Sequence, residues 1–167
     1  MEIWALVISI LSAIGTCIAA YLSFRANNPK IKVVINKENC IFTNKLNFLA
    51  FTVVFTNSAP VSGTISEIWI KWNGKYYCSK DANETFNTSC IAAVAIGRGA
   101  EIRNPIILDA PIVMLPFDYK NATIVFPQLS STDTFIDCTV YFKIVGKHHV
   151  TSFKIRAHNV DYNYQNK

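Results

Sequence analysis

Three histidines are the first residues of this chain whose type could do chemistry. His148 and His149 are adjacent, and His158 follows later in the same predicted hairpin. Neighbouring side chains on a strand point to opposite faces, so His148 and His149 would not converge on one metal ion. No further ligands stand at a spacing typical of a zinc site. We therefore interpret the histidines as surface polar residues and expect no metal and no cofactor.

The carboxylates and glycines show no catalytic pattern either. Four acids that could act in general acid–base chemistry are spread along the chain: Glu67, Glu101, Asp109 and Asp118. The segment Gly97-Arg98-Gly99 lacks the helix and the spacing of a phosphate-binding loop, and it is typical of a turn. The signatures of zinc proteases, serine hydrolases and P-loop proteins are absent. We expect that the protein is not an enzyme.

Cysteines and glycosylation sequons bear on whether the domain lies in an oxidising, exported location or in a reducing compartment. Four cysteines lie beyond the N-terminal apolar run, namely Cys40, Cys78, Cys90 and Cys138. They could form two disulfides in an oxidising compartment. Three sequons begin at Asn83, Asn87 and Asn121. However, the chain is rich in Asn, Ser and Thr, and the cysteine spacing is not that of a compact disulfide scaffold. We therefore predict reduced thiols.

The basic residues are scattered although the formal net charge is +5. Lys71, Lys75 and Lys80 form the densest group beyond the apolar run, and they flank a tight turn. There is no arginine-rich stripe and no RNA-binding signature. The pattern favours a solvated sheet face, and we expect no nucleic-acid partner. A modest positive charge would also suit anionic lipid headgroups.

An uncharged apolar run of 22 residues covers residues 3–24. A helix of that length spans about 33 Å, which matches the hydrocarbon core of a bilayer. Aromatic residues stand near both ends, and a cation follows, as in membrane spans. The residues that define this predicted anchor are Ile3, Trp4, Tyr21, Phe24 and Arg25.

Three other readings of the apolar run are weaker. A secretory signal peptide has a basic start and a shorter apolar core, whereas this chain begins Met1-Glu2. A lipoprotein signal would use Cys17, but the residue before it is Thr16. A helix this apolar on all sides is seldom the core helix of a soluble domain. The run predicts an uncleaved anchor that makes the lipid bilayer a partner.

Flanking charge predicts the orientation of this span. Upstream there is only the terminal amine and Glu2, whereas Arg25 and three lysines follow within a short distance: Lys30, Lys32 and Lys37. Basic residues favour the cytoplasmic side of a membrane. We therefore expect a single-pass protein of the cell membrane, with the N-terminus outside and the following domain in the cytoplasm.

Small residues recur along the predicted span at spacings of three and four. They are Ala5, Ser9, Ser12, Thr16, Ala19 and Ser23. Such spacing places them on one face of a helix, and small residues let helices approach closely in lipid. Ala and Ser are also common in membrane helices, so composition alone is the alternative to the hypothesis of a homo-oligomer formed through the helix.

Beyond Pro29 the pattern has the period of two that strands require. Asn73-Gly74 predicts a tight hairpin turn in which Trp72 faces Lys75. A second hairpin, from Phe135 to Ala157, is predicted to turn at Gly146-Lys147 in a type II′ turn. Its register places Val140 opposite Phe153 in the core, and pairs Ile144 with His149. It also pairs Asp137 with Arg156 on the outer face.

About eight or nine short strands separated by turn signals favour an all-β fold, an immunoglobulin-like antiparallel β-sandwich preceded by one N-terminal transmembrane helix. Further strands are expected at residues 31–36, 47–56, 91–95, 101–108, 112–115 and 119–126. The predicted organisation is an anchor at 1–25, a linker at 26–30, a sandwich at 31–158 and a disordered tail at 159–167.

Two segments carry a resemblance to a known group of proteins. One runs from Thr56-Asn57-Ser58 to Ile65, and the other from Leu115-Pro116-Phe117-Asp118 to Phe126-Pro127. With the N-terminal span, they resemble small uncharacterised single-pass membrane proteins of low-GC Gram-positive bacteria and their mobile elements. The resemblance covers most of the chain. It implies an immunoglobulin-like or fibronectin-III-like domain, and it brings no catalytic residues.

Two function classes follow from these patterns. The first is a membrane-anchored interaction module with a protein partner, because β-sandwiches offer loops and edge strands for binding. The second is a small-ligand-binding or weakly catalytic domain tethered to the membrane. An exposed aromatic patch would favour the first class, and a closed pocket lined with carboxylates or histidines would favour the second.

Overall fold

The computed structural model describes most of the chain, namely residues 2–37, 40–79, 106–129, 131–147 and 149–161. For Glu2 and Arg25 only the backbone is described. Several predictions lie outside the described residues: the strands at 91–95 and 101–105, the Gly97-Arg98-Gly99 turn, Glu101, Cys90, His148, and the sequons at Asn83 and Asn87.

The N-terminal helix α1 spans Glu2–Ala26. Its residues Ile3–Phe24 are long and apolar enough to cross a membrane, and no part of this stretch is buried against the rest of the protein. The backbone N–H of Asn27 donates to the carbonyl of Ser23 at 3.0 Å and closes the last turn. Pro29 then prevents continuation, because the residue before a proline avoids the helical region.

Nine strands follow in the described part of the chain. Their bounds are β1 Ile31–Ile35, β2 Ile41–Thr43, β3 Phe48–Asn57, β4 Gly63–Trp72, β5 Lys75–Cys78, β6 Ile112–Met114, β7 Tyr119–Pro127, β8 Phe135–Ile144 and β9 Thr151–Asn159. Most of them alternate buried and exposed side chains, as the period-two sequence pattern predicts.

The strands form two facing layers. In one layer β3 lies between β7 on one edge and the end-to-end pair β1 and β2 on the other. In the second layer β9, β8 and β4 follow in order, and β5 and β6 share the outer edge of β4. Phe55 on β3 meets Phe142 on β8 across the core, with ring centroids 5.8 Å apart. The fold is an immunoglobulin-like β-sandwich, as predicted.

The strand register agrees with the prediction in both hairpins. Trp72 pairs with Lys75 across the β4–β5 turn, and Val140 pairs with Phe153 between β8 and β9. Val140 is fully buried, whereas Phe153 is only partly buried against the core. A slip of one residue would turn the buried faces of β8 and β9 to water.

The turn between β8 and β9 differs from the prediction. The N–H of Lys147 donates to the carbonyl of Ile144 at 3.1 Å, so Val145 and Gly146 are the central residues. Gly146 has a φ of 83° at the second central position, whereas a type II′ turn needs glycine at the first. The predicted turn at Gly146-Lys147 is therefore wrong. Because β9 begins only at Thr151, the predicted pairing of Ile144 with His149 does not form either.

Strand β2 was not predicted, and it changes the topology. Its three residues are all buried, so they show no alternation in sequence. It pairs antiparallel with β3 and parallel with β9, and it thereby joins the two layers. The sandwich is therefore not wholly antiparallel.

The folded domain extends beyond the predicted boundary at residue 158. Asn159 ends β9, and both Asn159 and Val160 are buried. The carboxylate of Asp161 accepts hydrogen bonds from the hydroxyl of Thr43 and the N–H of Asn44. The prediction of disorder is wrong for residues 159–161, because burial of Val160 and tertiary hydrogen bonds hold this mostly polar segment.

The strands run between two ends of the sandwich. The proximal end comprises the linker and three turns, at residues 27–30, 58–62, 115–118, 145–147 and 149–150. The distal end comprises three other turns and the last described residues, at 44–47, 73–74, 128–129, 131–134 and 159–161. The chain also crosses between layers: Ile107 bridges to β7, and β6 then pairs with β4.

Candidate functional site

The predicted anchor and association residues all lie on α1. Ile3, Trp4, Tyr21 and Phe24 are exposed, and Arg25 occupies the last turn. The small-residue stripe is also exposed along the helix, at Ala5, Ser9, Ser12, Thr16, Ala19 and Ser23. The Thr16 hydroxyl donates to the carbonyl of Ser12 at 2.9 Å, so it is satisfied within the helix.

The two described histidines do not converge. His149 lies in the proximal turn between β8 and β9, whereas His158 packs edge-on against the ring of Phe135 near the distal end, with centroids 4.7 Å apart. Among the described residues, no group of three or more His, Cys, Asp or Glu side chains could hold a metal ion.

Two of the predicted acids, Glu67 and Asp118, have structural partners. Glu67 on β4 binds the ammonium of Lys143 on β8 at 2.6 Å. Asp118 accepts a hydrogen bond from the N–H of Leu115 at 3.1 Å and shapes a proximal turn. These two acids serve different elements and do not form a catalytic pair.

Three domain cysteines are described, and all are free thiols. Cys40 and Cys138 are buried, and burial raises the pKa of each thiol to about 12. Such thiols stay protonated and unreactive at neutral pH. Cys78 is exposed at the end of β5.

An open depression of about 650 Å³ lies beside the tip of the β4–β5 hairpin. We call it the distal depression. Its lining includes the basic and acidic side chains of Lys37, Lys71, Lys154, Arg156, Asp137 and His158, together with the thiol of Cys138. Four are lysine or arginine, and one is a carboxylate, so the depression has an excess of positive charge.

Strand register explains how these cations come together. Lys71, Thr139 and Lys154 occupy paired positions on three adjacent strands, on the solvent face of the second layer. Arg156 binds the carboxylate of Asp137 through two hydrogen bonds, of 2.8 and 3.0 Å. This pairing lowers the pKa of Asp137 and raises that of Arg156.

Residues from four separate segments build the distal depression, so no local sequence motif predicts it. The one signal in the sequence is the density of lysines around the Asn73-Gly74 turn, which we interpreted as a solvated face. Pairing between β4, β8 and β9 adds Lys154 and Arg156 to that group. Of the described histidines and carboxylates that we searched for chemistry, His158 lines the depression, whereas His149, Glu67 and Asp118 do not.

The proximal end is organised by the side chain of Asn57, which is 1% exposed. Its amide nitrogen donates to the carbonyls of Val61 at 2.8 Å and Leu115 at 2.9 Å. Its amide oxygen accepts from the N–H groups of Ala59 at 3.2 Å and Lys30 at 3.3 Å. One side chain therefore ties the linker to two turns.

The two segments that carry the sequence resemblance meet at this point. Asn57 belongs to the first segment, and the turn at Leu115-Pro116-Phe117-Asp118 belongs to the second. The N–H of Asn57 donates to the carbonyl of Asp118 at 2.9 Å, and the N–H of Phe117 donates to the carbonyl of Ala59 at 3.2 Å. These two segments therefore form the structural joint of the proximal end.

No family model and no curated protein matches the chain. Among solved structures, the chain is similar to the ASH / PapD-like domain of human CEP192 (PapD-like domain 7). The two are 12% identical, and the match covers 78% of this chain and 84% of that chain, with a TM-score of 0.29. A similarity this loose carries no argument about function.

Proposed function

We propose that this chain is a single-pass membrane protein whose β-sandwich is an interaction module held beside the bilayer. The observation that supports it is the exposure of α1: its apolar stretch Ile3–Phe24 is not buried against the part of the domain that the structure describes. In water, a helix apolar on every side would expose far more hydrophobic surface than a soluble monomer normally tolerates. A bilayer removes that surface from water.

In this proposal the domain is cytoplasmic. Lys30 and Lys32 follow the helix closely, and both are exposed. Basic residues in this position favour the cytoplasmic side of a membrane for the segment that carries them. The free thiols of Cys40, Cys78 and Cys138 are compatible with a reducing compartment.

The proposed partner site is the distal depression, and the proposed partner is a protein with an acidic segment. Lys71 on β4 and Lys154 on β9 present two ammonium groups on either side of β8, and Arg156 adds a guanidinium fixed by Asp137. Complementary charge raises association rates and selects for negative partners. The alternative of a small-ligand or catalytic site is less well supported, because the depression is open and contains a single carboxylate.

The anchoring is tested by alkaline carbonate extraction of membranes and by C-terminal reporter fusions. The full chain should stay in the membrane pellet, an alkaline phosphatase fusion should be inactive, and a fluorescent-protein fusion should be bright. Release into the supernatant would contradict the anchor, whereas an active phosphatase would contradict only the orientation.

The partner site is tested with a fluorescent oligo-glutamate peptide. The double variant Lys71→Glu, Lys154→Glu should weaken binding at least tenfold and reduce its salt dependence. Lys32→Glu is the matched control, since Lys32 is an exposed strand lysine outside the depression, and it should change affinity little. An oligonucleotide of equal charge that binds more tightly would contradict the protein-partner proposal.

The small-residue stripe supports a separate proposal of self-association through α1. Replacing Ser12 and Thr16 with Leu should reduce association in a two-hybrid assay of membrane helices, because bulk there separates the backbones. Replacing Ile14 and Ile18 with Leu is the matched control. Equal effects of the two pairs would contradict a specific face.

A further inference from the structure

The turn between β6 and β7 exposes large apolar side chains. Leu115 is 60% exposed, Phe117 is 71% exposed and Tyr119 is 62% exposed. Phe117 also has a φ of 53°, in the left-handed region that favours Gly or Asn. The Phe117 side chain is therefore not buried, and its backbone is in a conformation that is unfavourable for an aromatic residue. Such costs are typical of surfaces that act in binding.

This turn is held next to the point at which α1 joins the domain. The N–H of Lys30, at the end of the linker, donates to the Asn57 side chain. Asn57 and Ala59 in turn make backbone hydrogen bonds to Asp118 and Phe117. Fully extended, the linker spans at most about 14 Å. If α1 crosses a bilayer, the Phe117 turn is tethered within that reach of its surface.

The proximal turn between β8 and β9 and the start of β7 add apolar and basic groups. Val145 is 54% exposed, and Val150 is 43% exposed. Lys147 donates from its ammonium to the carbonyl of Ile31 at 2.9 Å, so this turn is fixed to the start of the domain. Lys120 lies beside Asp118, with 36% of its side chain exposed. Apolar side chains surrounded by lysines are the chemistry of surfaces that bind anionic lipid.

We infer that the proximal end is a membrane-contact surface that lies on the anionic lipid interface, with Leu115 and Phe117 inserted among the headgroups. The inference rests on the proposed anchoring by α1. The bilayer is the favoured occupant because a protein partner would have to enter the short gap that the linker allows. The span and this surface together give the domain two attachments, and these restrict its tilt relative to the membrane.

The test uses photocross-linking of the full chain in vesicles of phosphatidylcholine and phosphatidylglycerol. Phe117→p-benzoylphenylalanine places the probe on the proposed surface. Tyr76→p-benzoylphenylalanine is the matched control, because Tyr76 is a similarly exposed aromatic on β5, away from the proximal end. Ile14→p-benzoylphenylalanine reports on the span itself. Mass spectrometry identifies the adducts.

Lipid adducts at positions 14 and 117, with a severalfold lower yield at position 76, are the expected result. Adducts at 14 with equal yields at 117 and 76 would overturn the contact surface and leave the anchoring intact. Absence of lipid adducts at 14 would overturn both proposals. In native membranes, a protein adduct at 117 in place of lipid would overturn the bilayer as occupant.

Discussion

At the proximal end, the amide of Asn57 binds the linker and two turns; at the distal end, the carboxylate of Asp161 binds the turn after β2 through Thr43 and Asn44. Asn57 thus makes hydrogen bonds to four backbone groups, and Asp161 accepts from the backbone N–H groups of Asn44 and Lys45. Buried or half-buried turns need such partners, because unpaired backbone groups are costly.

The outer surfaces of the two ends differ although their interiors are held together alike. The proximal end exposes Leu115, Phe117 and Tyr119, whereas the distal depression exposes lysines and Arg156. The same fold therefore offers an apolar surface beside the helix and a cationic surface away from it. Asn57 and Asp161 hold the turns in place, whereas the exposed side chains determine what each end can bind.

The largest expected effect comes from Asn57, the supporting residue of the proximal end. Asn57→Ala should lower the free energy of unfolding by about 2–4 kcal/mol, because buried carbonyls lose their donor. Asp161→Ala should cost about 1–2 kcal/mol, since its partners are partly exposed and water can replace it. Both are measured by urea denaturation of the full chain in mild detergent, followed by tryptophan fluorescence.

Asn121→Ala is the matched control for Asn57, because Asn121 is an exposed asparagine on β7. It should leave the unfolding midpoint unchanged. An Asn57→Ala cost no greater than that of the control would mean that the proximal turns do not depend on this side chain.

A smaller effect is expected where the linker crosses the domain. A Cβ added to Gly63 would lie 2.6 Å from the Cβ of Pro29 and 2.7 Å from Cδ1 of Ile31. Gly63→Ala should therefore displace the linker and lower the free energy of unfolding by about 1–3 kcal/mol.

Gly15→Ala is the control for this substitution, since an added Cβ at Gly15 meets nothing. In vesicles, Gly63→Ala should also reduce lipid cross-linking from position 117, whereas Gly15→Ala should not. A Gly63→Ala protein as stable as the wild type would contradict a close-packed linker.

The sequence predicted the sandwich, both hairpin registers and the Asp137–Arg156 pair, because period-two alternation and an Asn-Gly turn are local signals. It did not predict β2, whose three residues are buried on all sides, nor the order of Asp161, which depends on Thr43 far along the chain. The distal depression and the Asn57 network were missed for the same reason: their partners are brought together only by tertiary pairing.

A still smaller effect concerns the thiol beneath the distal depression. Because burial raises the pKa of Cys138 from 9.0 to about 12, the folded state keeps a proton that the unfolded state loses. The stability that this thiol contributes is fully present below pH 9 and is lost as pH rises toward 12.

Cys138→Ala should therefore lose less stability between neutral pH and pH 10 than the wild type does. Cys78→Ala, at an exposed thiol, should follow the wild-type pH dependence. Urea midpoints measured across this pH range provide the comparison. Identical slopes for all three proteins would contradict a buried, protonated Cys138.

The most direct test of the account measures how far each end lies from the bilayer. Val145→Cys at the proximal end and Leu46→Cys at the distal end carry a donor dye, and headgroup-labelled lipids carry the acceptor. Both native side chains are exposed. The background variants Cys17→Ser, Cys78→Ser and Cys90→Ser leave only the buried thiols of Cys40 and Cys138.

Strand β3 has ten residues and runs from one end to the other, which corresponds to about 33 Å. With the full chain in vesicles, the account predicts strong energy transfer from position 145 and much weaker transfer from position 46. Equal transfer from the two positions, or stronger transfer from position 46, would contradict a domain whose proximal end lies on the membrane and whose distal end faces away.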